Sequence, residues 1–435
     1  MLLEFLTFSG PGVRWVLLGS TLLGAAAGAI GCFAFLKKRS LVGDALAHAA
    51  LPGVTTAFLL FQTRDPVVML LGSLASCFLG YLTLEFLTKF SKIKDDSALA
   101  IVLSFFFALG ILQLTYIQKL PLGSQAGLDS ILFGQAASLV KDDVLVLGGV
   151  ATVILLFIIF CFRSLTAICF DPVFARASQI AVKRYEFLLA LCLVGSIVIG
   201  LQLVGVVLIA ALVLTPAAAA RYWTHQLKTM VLVSALIGVF AGVFGSFVSY
   251  VAPRMPTGPW MVVGVTTVFV ISLVFGRRRG LWRRYRKQRR LKRRIIEENI
   301  LRTLFKIGEA SGAPQTLLEP TSLLEFRNLS LKQLEAAIGR LCKKDFIESK
   351  DACIQLTELG LQRAEELTRL HRLWELYLLE AVHIAPDHVH EDAEEMEHML
   401  SPEMEERLRQ ELSSVKKDPH GKIIPGVTAT TGEAE

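Results

Sequence analysis

The residues best suited to chemistry near the start of the chain are a carboxylate and an imidazole, one helical turn apart. Residues 43–53 read GDALAHAALPG, with Asp44 and His48 at positions i and i+4 and with Pro52 and Gly53 close behind. Positions i and i+4 lie on one face of a helix. The two side chains form a compact pair for a divalent cation such as manganese, iron or zinc. The plain structural alternative is that Asp44 caps the helix while His48 bonds to a carbonyl group.

The elements that carry these residues are apolar enough for a membrane. The chain has 435 residues, 53% of them hydrophobic, and a mean hydropathy of +0.54. A helix needs roughly 20 apolar residues to cross a bilayer. An ionisable group there costs about 3 kcal/mol, so it normally faces a pore or a partner. The predicted spans are Trp15–Leu36, Ala45–Phe61, Val67–Leu87, Ala98–Ile117, Val144–Phe162, Phe187–Gly205, Val206–Ala220, Met230–Val251 and Trp260–Phe275.

Lysine and arginine residues predict the orientation of these spans, because they concentrate in cytoplasmic loops. Basic loops lie at residues 37–39, 89–94, 163–184 and 221–228. With these loops in the cytoplasm, nine crossings put the N-terminus outside and the C-terminal part inside a bacterial inner membrane. The seventh span is short. In a second interpretation it pairs with the sixth as one bent element, which leaves eight complete crossings.

Net charge divides the chain into two parts. Residues 1–294 contain 29 basic and 11 acidic residues, a net of +18, and residues 295–435 contain 16 and 27, a net of −11, which together give the +7 of the chain. The run RRRGLWRRYRKQRRLKRR at 277–294 holds twelve basic residues and no acidic one, which indicates contact with anionic membrane lipids. A basic apolar part and an acidic part that holds six of the eight histidines are two different domains.

The acidic part has the element order of a winged helix. An amphipathic helix, a helix near 315–326 and a helix over 331–343 precede two short extended pieces and a long helix over 358–382. Ser330 is a suitable N-cap for the third helix. The candidate contacts to operator DNA lie at the start of that helix: Ser330, Lys332 and Gln333.

Four stretches, in order along the chain, resemble the permeases of the manganese, zinc and iron ABC uptake family. They read KKRSLVGDALAHAALPGV (37–54), DDSALAIVLSFFFALGI (95–111), GLDSILFG (127–134), and FDPVFARASQIAVKRYEFLLA through GLQLVGVVLIAALVLTPAAAAR (170–221). The resemblance covers residues 13–281. It implies a homodimeric or heterodimeric permease that a separate cytoplasmic ATPase drives and an extracytoplasmic metal-binding protein supplies. It also implies that Asp44 and His48 lie in the metal pathway.

The segment that begins at Asp171 has the pattern of a short, moderately polar helix in a basic cytoplasmic loop. Asp171 is placed to cap this helix, and Arg176 adds a basic side chain. Such a helix suits docking into a groove of the ATPase, and a plain surface helix is the alternative. The sequence contains no phosphate-binding GxxxxGK[ST] motif. The chain is therefore not expected to be an enzyme, and a partner subunit is expected to hydrolyse ATP.

Histidines and carboxylates recur at helical spacing in the tail. His371 and Glu375 occupy positions i and i+4, and a later stretch combines histidine with glutamate in the same way. Such ligands suit Mn²⁺ or Fe²⁺ better than metals that prefer thiolates. Three stretches resemble metal-dependent repressors of the diphtheria-toxin-repressor family: RLHRLWELYLLE (369–380), DHVHEDAEEMEHMLSPEMEERL (387–408) and DPHGKIIPG (418–426).

This second resemblance implies two metal sites in the tail. The ligands of one site match His371, Glu375 and His390. The ligands of the other site match Glu394, Glu397 and His398. Glu394 stands where manganese-type members carry Glu and iron-type members carry Cys, which favours manganese, with iron or zinc as alternatives.

Two positions on the first helix of the tail depart from this family. Asn299 aligns with a ligand that is Met or Asp in the family, and Arg302 aligns with a Glu that manganese-type members use. The second site is therefore expected to be incomplete unless Glu298 substitutes.

These features predict a mostly α chain with a polytopic bundle of 8–9 transmembrane helices, a cytoplasmic winged helix and a helical metal-binding domain. The predicted domains are a permease (1–281), a basic juxtamembrane linker (282–294), a winged helix (295–357), metal-binding and dimerisation helices (358–426) and a disordered tail (427–435). The leading hypothesis is a metal-ion ABC permease fused to a metal-sensing domain that regulates transport or transcription. The alternative is a membrane-tethered, metal-dependent transcriptional regulator whose permease part no longer transports.

Overall fold

Apolar helices make up most of the chain in a computed structural model, which describes residues 11–37, 40–63, 65–120, 134, 139–252, 255–313, 315–326 and 329–380. The first ten described helices are α1 Pro11–Leu36, α2 Ser40–Phe61, α3 Pro66–Phe90, α4 Asp95–Lys119, α5 Lys141–Phe170, α6 Pro172–Ala177, α7 Val182–Leu203, α8 Val206–Arg221, α9 Leu227–Val251 and α10 Thr257–Phe275. Eight of these are long and apolar enough to cross a membrane, and α8 is a shorter apolar helix. The predicted polytopic bundle is confirmed.

Contacts near both ends of α8 show how far it reaches. Before its start, a Cβ atom added to Gly258 at the beginning of α10 would lie 2.8 Å from the Cα atom of Val204. After its end, the indole N–H of Trp223 donates to the hydroxyl of Ser272, close to the end of α10, at 2.9 Å. At about 1.5 Å per residue, the 16 residues of α8 extend about 24 Å. α8 therefore runs beside most of the length of α10.

Helices α1 and α9 meet backbone to backbone along what we call the small-residue face. A Cβ atom on Gly24 would lie 2.1 Å from the carbonyl oxygen of Gly238. The hydroxyl oxygens of Ser20 and Ser246 are 2.7 Å apart. Lipid is as apolar as the side chains, so close van der Waals contact and hydrogen bonds hold such helices together. The face repeats every four residues, with Ser20, Gly24 and Gly28 on α1 and Ser234, Gly238, Gly242 and Ser246 on α9.

A second close-packed group fixes α2 against α3. A Cβ atom on Gly53 of α2 would lie 2.2 Å from the carbonyl oxygen of Gly72 of α3. One turn away, the hydroxyl of Ser76 donates to the carbonyl oxygen of Ala49 at 2.7 Å. The helix that carries the predicted metal ligands is thus held at a short, defined distance from its neighbour.

The remaining described elements form a second compact unit, which begins at Tyr285 within the first of these helices. They are α11 Leu281–Ser311, a 3₁₀ turn Pro320–Ser322, α12 Leu323–Phe326, α13 Leu331–Cys342, β1 Ile347–Lys350, β2 Cys353–Leu356 and α14 Glu358–Glu380. β1 and β2 pair antiparallel, which confirms the predicted wing. The unit has its own apolar core, which includes Ile300, Leu304, Leu334, Leu341, Ile347 and Leu356. Residues 281–294 of the basic run form the first part of α11, in one helix with the start of the winged unit.

The helix predicted near 315–326 is shorter than expected. Its α-helical part is Leu323–Phe326, and Leu318 instead pairs with Ile354 of β2 in an antiparallel bridge. The N–H group of Leu318 donates to the carbonyl of Ile354 at 3.0 Å, and the reverse bond is 2.8 Å long. Because the strand already satisfies the backbone of Leu318, the helix begins only after this pairing ends.

Candidate metal path and tail metal centre

Asp44 and His48 lie one turn apart on α2, inside the helix bundle. The Nε2 atom of His48 is 3.6 Å from Oδ1 of Asp44, which is longer than a hydrogen bond. The ring of His48 packs edge-on against Phe107 of α4, with ring centroids 4.8 Å apart. The side chain of His48 is 13% exposed and that of Asp44 is 36% exposed. The two ligand groups therefore stand side by side without closing on each other.

The structural alternative for this pair does not hold among the described residues. α2 already runs from Ser40, so Asp44 lies inside the helix and is not its cap. The Nδ1 atom of His48 is buried and has no hydrogen-bond partner in the described part of the chain. A buried polar atom left unpaired costs about 1–3 kcal/mol. Such an atom is expected where a ligand completes its bonding.

Pro52 leaves one backbone carbonyl group of this turn without its usual hydrogen bond. Proline has no N–H group, so the carbonyl of His48, four residues earlier, lacks the hydrogen bond that a helix normally supplies. The turn therefore offers a carboxylate, an imidazole nitrogen and a released carbonyl oxygen, which are ligands for Mn²⁺, Fe²⁺ or Zn²⁺. Within the described ranges, no group of three or more His, Cys, Asp or Glu side chains is arranged to hold a metal ion.

The loop helix α6 is capped as predicted. Asp171 accepts hydrogen bonds from the N–H groups of Val173 and Phe174, both at 2.9 Å. The side chains of Val173 and Phe174 are 69% and 62% exposed. Arg176 is also exposed and donates from Nε to the carbonyl of Pro172 at 3.2 Å. α6 thus presents an apolar surface with a basic residue beside it.

An ion pair joins the residue after α1 to the first turns of α7. The Nζ atom of Lys37 is 2.6 Å from Oε1 of Glu186, and these side chains are 12% and 34% exposed. Lys37 precedes Asp44 by seven residues, and Glu186 follows the end of α6 by nine. The pair therefore connects the segment before the metal ligands with the helix that follows α6.

In the tail, His371 and Glu375 lie on the buried face of α14. The Nε2 atom of His371 is 3.0 Å from Oε1 of Glu375, and its Nδ1 atom is 2.8 Å from Nη1 of Arg302 on α11. His371 and Arg302 are each 1% exposed, and Glu375 is 2% exposed. Both ring nitrogens are engaged, and a guanidinium group stands where an ion bound to Nδ1 would stand. As arranged, these side chains do not fit a metal ion at His371.

The predicted substitute ligand, Glu298, contacts arginines. Its Oε1 atom is 2.9 Å from Nε of Arg294 and 3.3 Å from Nη2 of Arg363. The side-chain oxygen of Asn299 is buried and has no hydrogen-bond partner among the described residues. The other predicted ligands lie outside the described residues, as does the predicted disordered segment 427–435, so these assignments stay predictions: His390, Glu394, Glu397 and His398.

The three candidate DNA contacts differ in their hydrogen bonding and exposure. The N–H group of Ser330 donates to Oε1 of Gln333 at 3.2 Å, so the Gln333 side chain closes the first turn of α13. Lys332 is exposed. A role in DNA binding stays a prediction for all three.

Glu297 of α11 binds two cations, one in the last turn of α13 and one just after that helix. Its carboxylate oxygens lie 2.5 Å from Nε of Arg340 and 2.6 Å from Nζ of Lys344. Burial acts to raise the pKa of Glu297, but the hydrogen bonds from Lys344 and Arg340 outweigh it and hold the pKa below its ordinary value. These contacts offset part of the positive charge of the helix in the recognition position.

The profile of the ABC 3 transport family matches residues 11–276, which is more than half of the chain. The chain belongs to the ABC 3 transport family. As a member of this family with eight helices of membrane-spanning length, it is a multi-pass membrane protein. The tail of this ABC 3 permease matches a second profile, the iron dependent repressor, metal binding and dimerisation domain, over residues 357–426. The predicted fusion of a metal permease with a repressor-like domain is confirmed.

Proteins similar to this ABC 3 permease carry transport names. It is 40% identical over 382 residues to the manganese transport system membrane protein MntC of Bacillus subtilis (strain 168), across 88% of this chain and 87% of that protein. It is 39% identical over 283 residues to the zinc transport system membrane protein TroC of Treponema pallidum (strain Nichols), across 64% of this chain and 95% of that protein. Among solved structures, PsaBC from Streptococcus pneumoniae in complex with Fab aligns with a TM-score of 0.59 at 32% identity, over 66% of this chain and 100% of that one.

Two contacts of this ABC 3 permease were missed by reasoning from the sequence. Lys37 and Glu186 both lie in the stretches that carry the family resemblance. The sequence shows their opposite charges, but it does not show that the two side chains are in contact. Arg302 was identified only as a departure at the second tail site. Its side chain contacts His371, a predicted ligand of the first site.

Proposed function

We propose that the chain is the membrane subunit of an importer of divalent metal ions, with Mn²⁺ as the main substrate and Zn²⁺ or Fe²⁺ as alternatives. The observation that carries this proposal is the turn of α2 where Oδ1 of Asp44 lies 3.6 Å from Nε2 of His48 and where Nδ1 of the same ring is buried without a hydrogen-bond partner among the described residues. Two ligand side chains hold an ion briefly and let it pass on. The manganese and zinc transport names of the relatives support this substrate class.

The energy for import comes from a separate cytoplasmic ATPase that docks on α6. The exposed Val173 and Phe174, with Arg176 beside them, form the kind of surface that a protein groove covers. The ion pair between Lys37 and Glu186 then transmits movement of α7 to the segment before the metal ligands. An extracytoplasmic metal-binding protein delivers the ion, and a second permease, identical or different, completes the pathway. The basic loops support a cytoplasmic position for α6 and for the C-terminal domain of a protein in a bacterial inner membrane.

Uptake of radioactive Mn²⁺ tests this function in cells that express the chain with its ATPase and its binding protein. Asp44→Ala and His48→Ala are each expected to reduce uptake by at least about 10-fold, because removal of even a hydrogen-bond partner of a metal ligand costs about 10–100-fold in metal affinity or activity. Ser73→Ala is a matched control, because this buried hydroxyl bonds to the carbonyls of Met69 and Leu70 in its own helix. Wild-type uptake by the double variant, at equal expression, contradicts the proposal.

We infer that the fused domain regulates import according to cytoplasmic metal, through transport or through transcription. The repressor-domain match and the winged-helix unit support a regulatory role. The net charge of −11 over residues 295–435 and the Glu297 ion pairs weaken the electrostatic attraction to DNA.

Two measurements distinguish the routes of regulation. A chain that ends at Arg294 loses shut-off of uptake at high metal if the domain gates transport. The full chain in nanodiscs shifts promoter DNA in a metal-dependent way, and Lys332→Ala weakens the shift, if the domain acts on transcription. A truncated chain with normal shut-off, together with no DNA binding by the full chain, refutes the regulatory role.

A further inference from the structure

A permanently charged side chain occupies the ligand position beside His371. Arg302 of α11 directs Nη1 at the Nδ1 atom of His371, 2.8 Å away, and Oε1 of Glu375 lies 3.0 Å from Nε2 on the other side of the ring. None of the three residues is more than 2% exposed. The contact is thus part of the interior of the domain and is shielded from water.

The hydrogen bonds decide which ring nitrogen carries the proton. A guanidinium group has donors only, so Nδ1 of His371 must accept from Arg302. The proton of the neutral ring then lies on Nε2, which donates to Glu375. The lone pair at Nδ1 is occupied and Nε2 carries a hydrogen, so neither nitrogen of His371 is available to a metal ion.

The charges around His371 also disfavour a bound metal ion. The positive Arg302 and the negative Glu375 flank a neutral ring, so their charges already balance. A divalent ion bound to Nδ1 would sit within about 4 Å of the guanidinium group, where two positive charges repel strongly at a buried site. Displacing Arg302 would separate a buried charge from its partner, which is itself unfavourable.

Two further ion pairs join the same two helices. Arg372 of α14 contacts both carboxylate oxygens of Glu309 on α11, at 3.1 and 2.6 Å. Arg363 of α14 contacts Glu298 of α11 at 3.3 Å. With the Arg302 contact, protein side chains connect α11 and α14 at three successive levels.

We propose that Arg302 is a built-in cation at the His371 site, which joins α11 to α14 permanently and does not respond to metal. His371 and Glu375 then serve as structural partners of an arginine in this chain, in place of the ligand role that the resemblance to metal-dependent repressors implies. The proposal goes beyond the import function and holds whether or not the permease carries manganese.

Electron paramagnetic resonance tests this by counting Mn²⁺ bound to the full-length chain in lipid nanodiscs. In the wild-type background, His371→Ala is expected to leave the number of bound ions unchanged. Arg302→Glu is expected to add one Mn²⁺ per chain, and adding His371→Ala to that variant is expected to remove it. Arg363→Glu reverses a charge on the same helix pair and is expected to add no ion that depends on His371.

Loss of one Mn²⁺ on His371→Ala in the wild-type background overturns the proposal. So does an Arg302→Glu chain that gains no ion while hydrogen–deuterium exchange shows α11 and α14 protected as in the wild type. If Arg302→Glu loses this protection, Arg302→Met replaces it, because it removes the charge and keeps an unbranched apolar side chain. A folded Arg302→Met chain that gains no ion overturns the proposal as well.

Discussion

Replacement of Gly238 by alanine is expected to destabilise the membrane unit, because α1 and α9 touch there through their backbones. The added Cβ atom would lie 1.9 Å from the carbonyl oxygen of Gly24. A C–H···O contact needs about 3.3 Å between carbon and oxygen, so the two helices must separate by about 1.4 Å at this level.

This separation also breaks the hydrogen bonds on either side. The hydroxyl of Ser234 donates to the carbonyl of Gly28 at 2.6 Å, and the hydroxyls of Ser20 and Ser246 are 2.7 Å apart. If the helices separate by about 1.4 Å, the oxygen atoms in both contacts move beyond hydrogen-bonding range. Each such bond contributes about 0.6 kcal/mol in a membrane, and overpacking costs about 1–3 kcal/mol. The free energy of unfolding should fall by about 2–4 kcal/mol.

The free energy of unfolding can be measured by SDS titration in mixed micelles, followed by circular dichroism. Gly149→Ala is the matched control, because it adds the same methyl group to a glycine of α5 where an added Cβ atom would meet no neighbouring atom within 4 Å. This control should not lower the free energy of unfolding, because alanine is favoured over glycine inside a helix by about 0.5–1 kcal/mol. If Gly238→Ala unfolds at the same SDS fraction as Gly149→Ala, the argument from backbone contact is refuted.

Three further outcomes are expected. Asp171→Ala should remove the α6 cap at a cost of about 1 kcal/mol and reduce co-purification of the ATPase. Asp171→Asn should keep the cap and normal co-purification, because asparagine also caps helices. Equal loss of co-purification in both variants would argue against capping as the cause. A double-mutant cycle of Lys37→Ala and Glu186→Ala should give a coupling energy of about 1–2 kcal/mol, measured by the same SDS titration, and a value near zero would show that the ion pair is not formed. The pKa of Glu297 is lowered on folding, so its contribution to stability is present above its unfolded pKa and is lost as pH falls through the folded pKa. Glu297→Gln should therefore reduce the loss of stability at acidic pH, as measured by hydrogen–deuterium exchange at a series of pH values. An unchanged loss of stability in this variant would contradict the reasoning.

The sequence was sufficient for features that depend on local pattern. Hydropathy located the membrane helices, and the four-residue spacing placed Asp44 and His48 on one face of α2, because both signals depend on neighbours within one helix. The cap at Asp171 and the antiparallel wing also follow from short-range patterns. The helix near 315–326 was predicted too long, because the pairing of Leu318 with Ile354 competes with it and has no local signal.

Contacts between distant segments were beyond local patterns. The repeat of small residues every four positions on α1 and α9 is visible in the sequence, but nothing local indicates that these two faces pair with each other. The same holds for the buried contact of Arg302 with His371, which are 69 residues apart. This contact depends on how α11 and α14 pack, and a single sequence does not indicate that packing.

The small-residue face has a consequence for the order of synthesis. Ser234 lies 206 residues after its partner Gly28. A ribosome adds about 5–20 residues per second, so α1 is in the membrane for roughly 10–40 s before the matching part of α9 is made. During this interval the glycines of α1 face lipid or whichever helices have already been inserted. We expect a nascent chain that stops short of α9 to keep this docking face unfilled, which gives membrane proteases a physical feature that distinguishes an unfinished chain from a complete one.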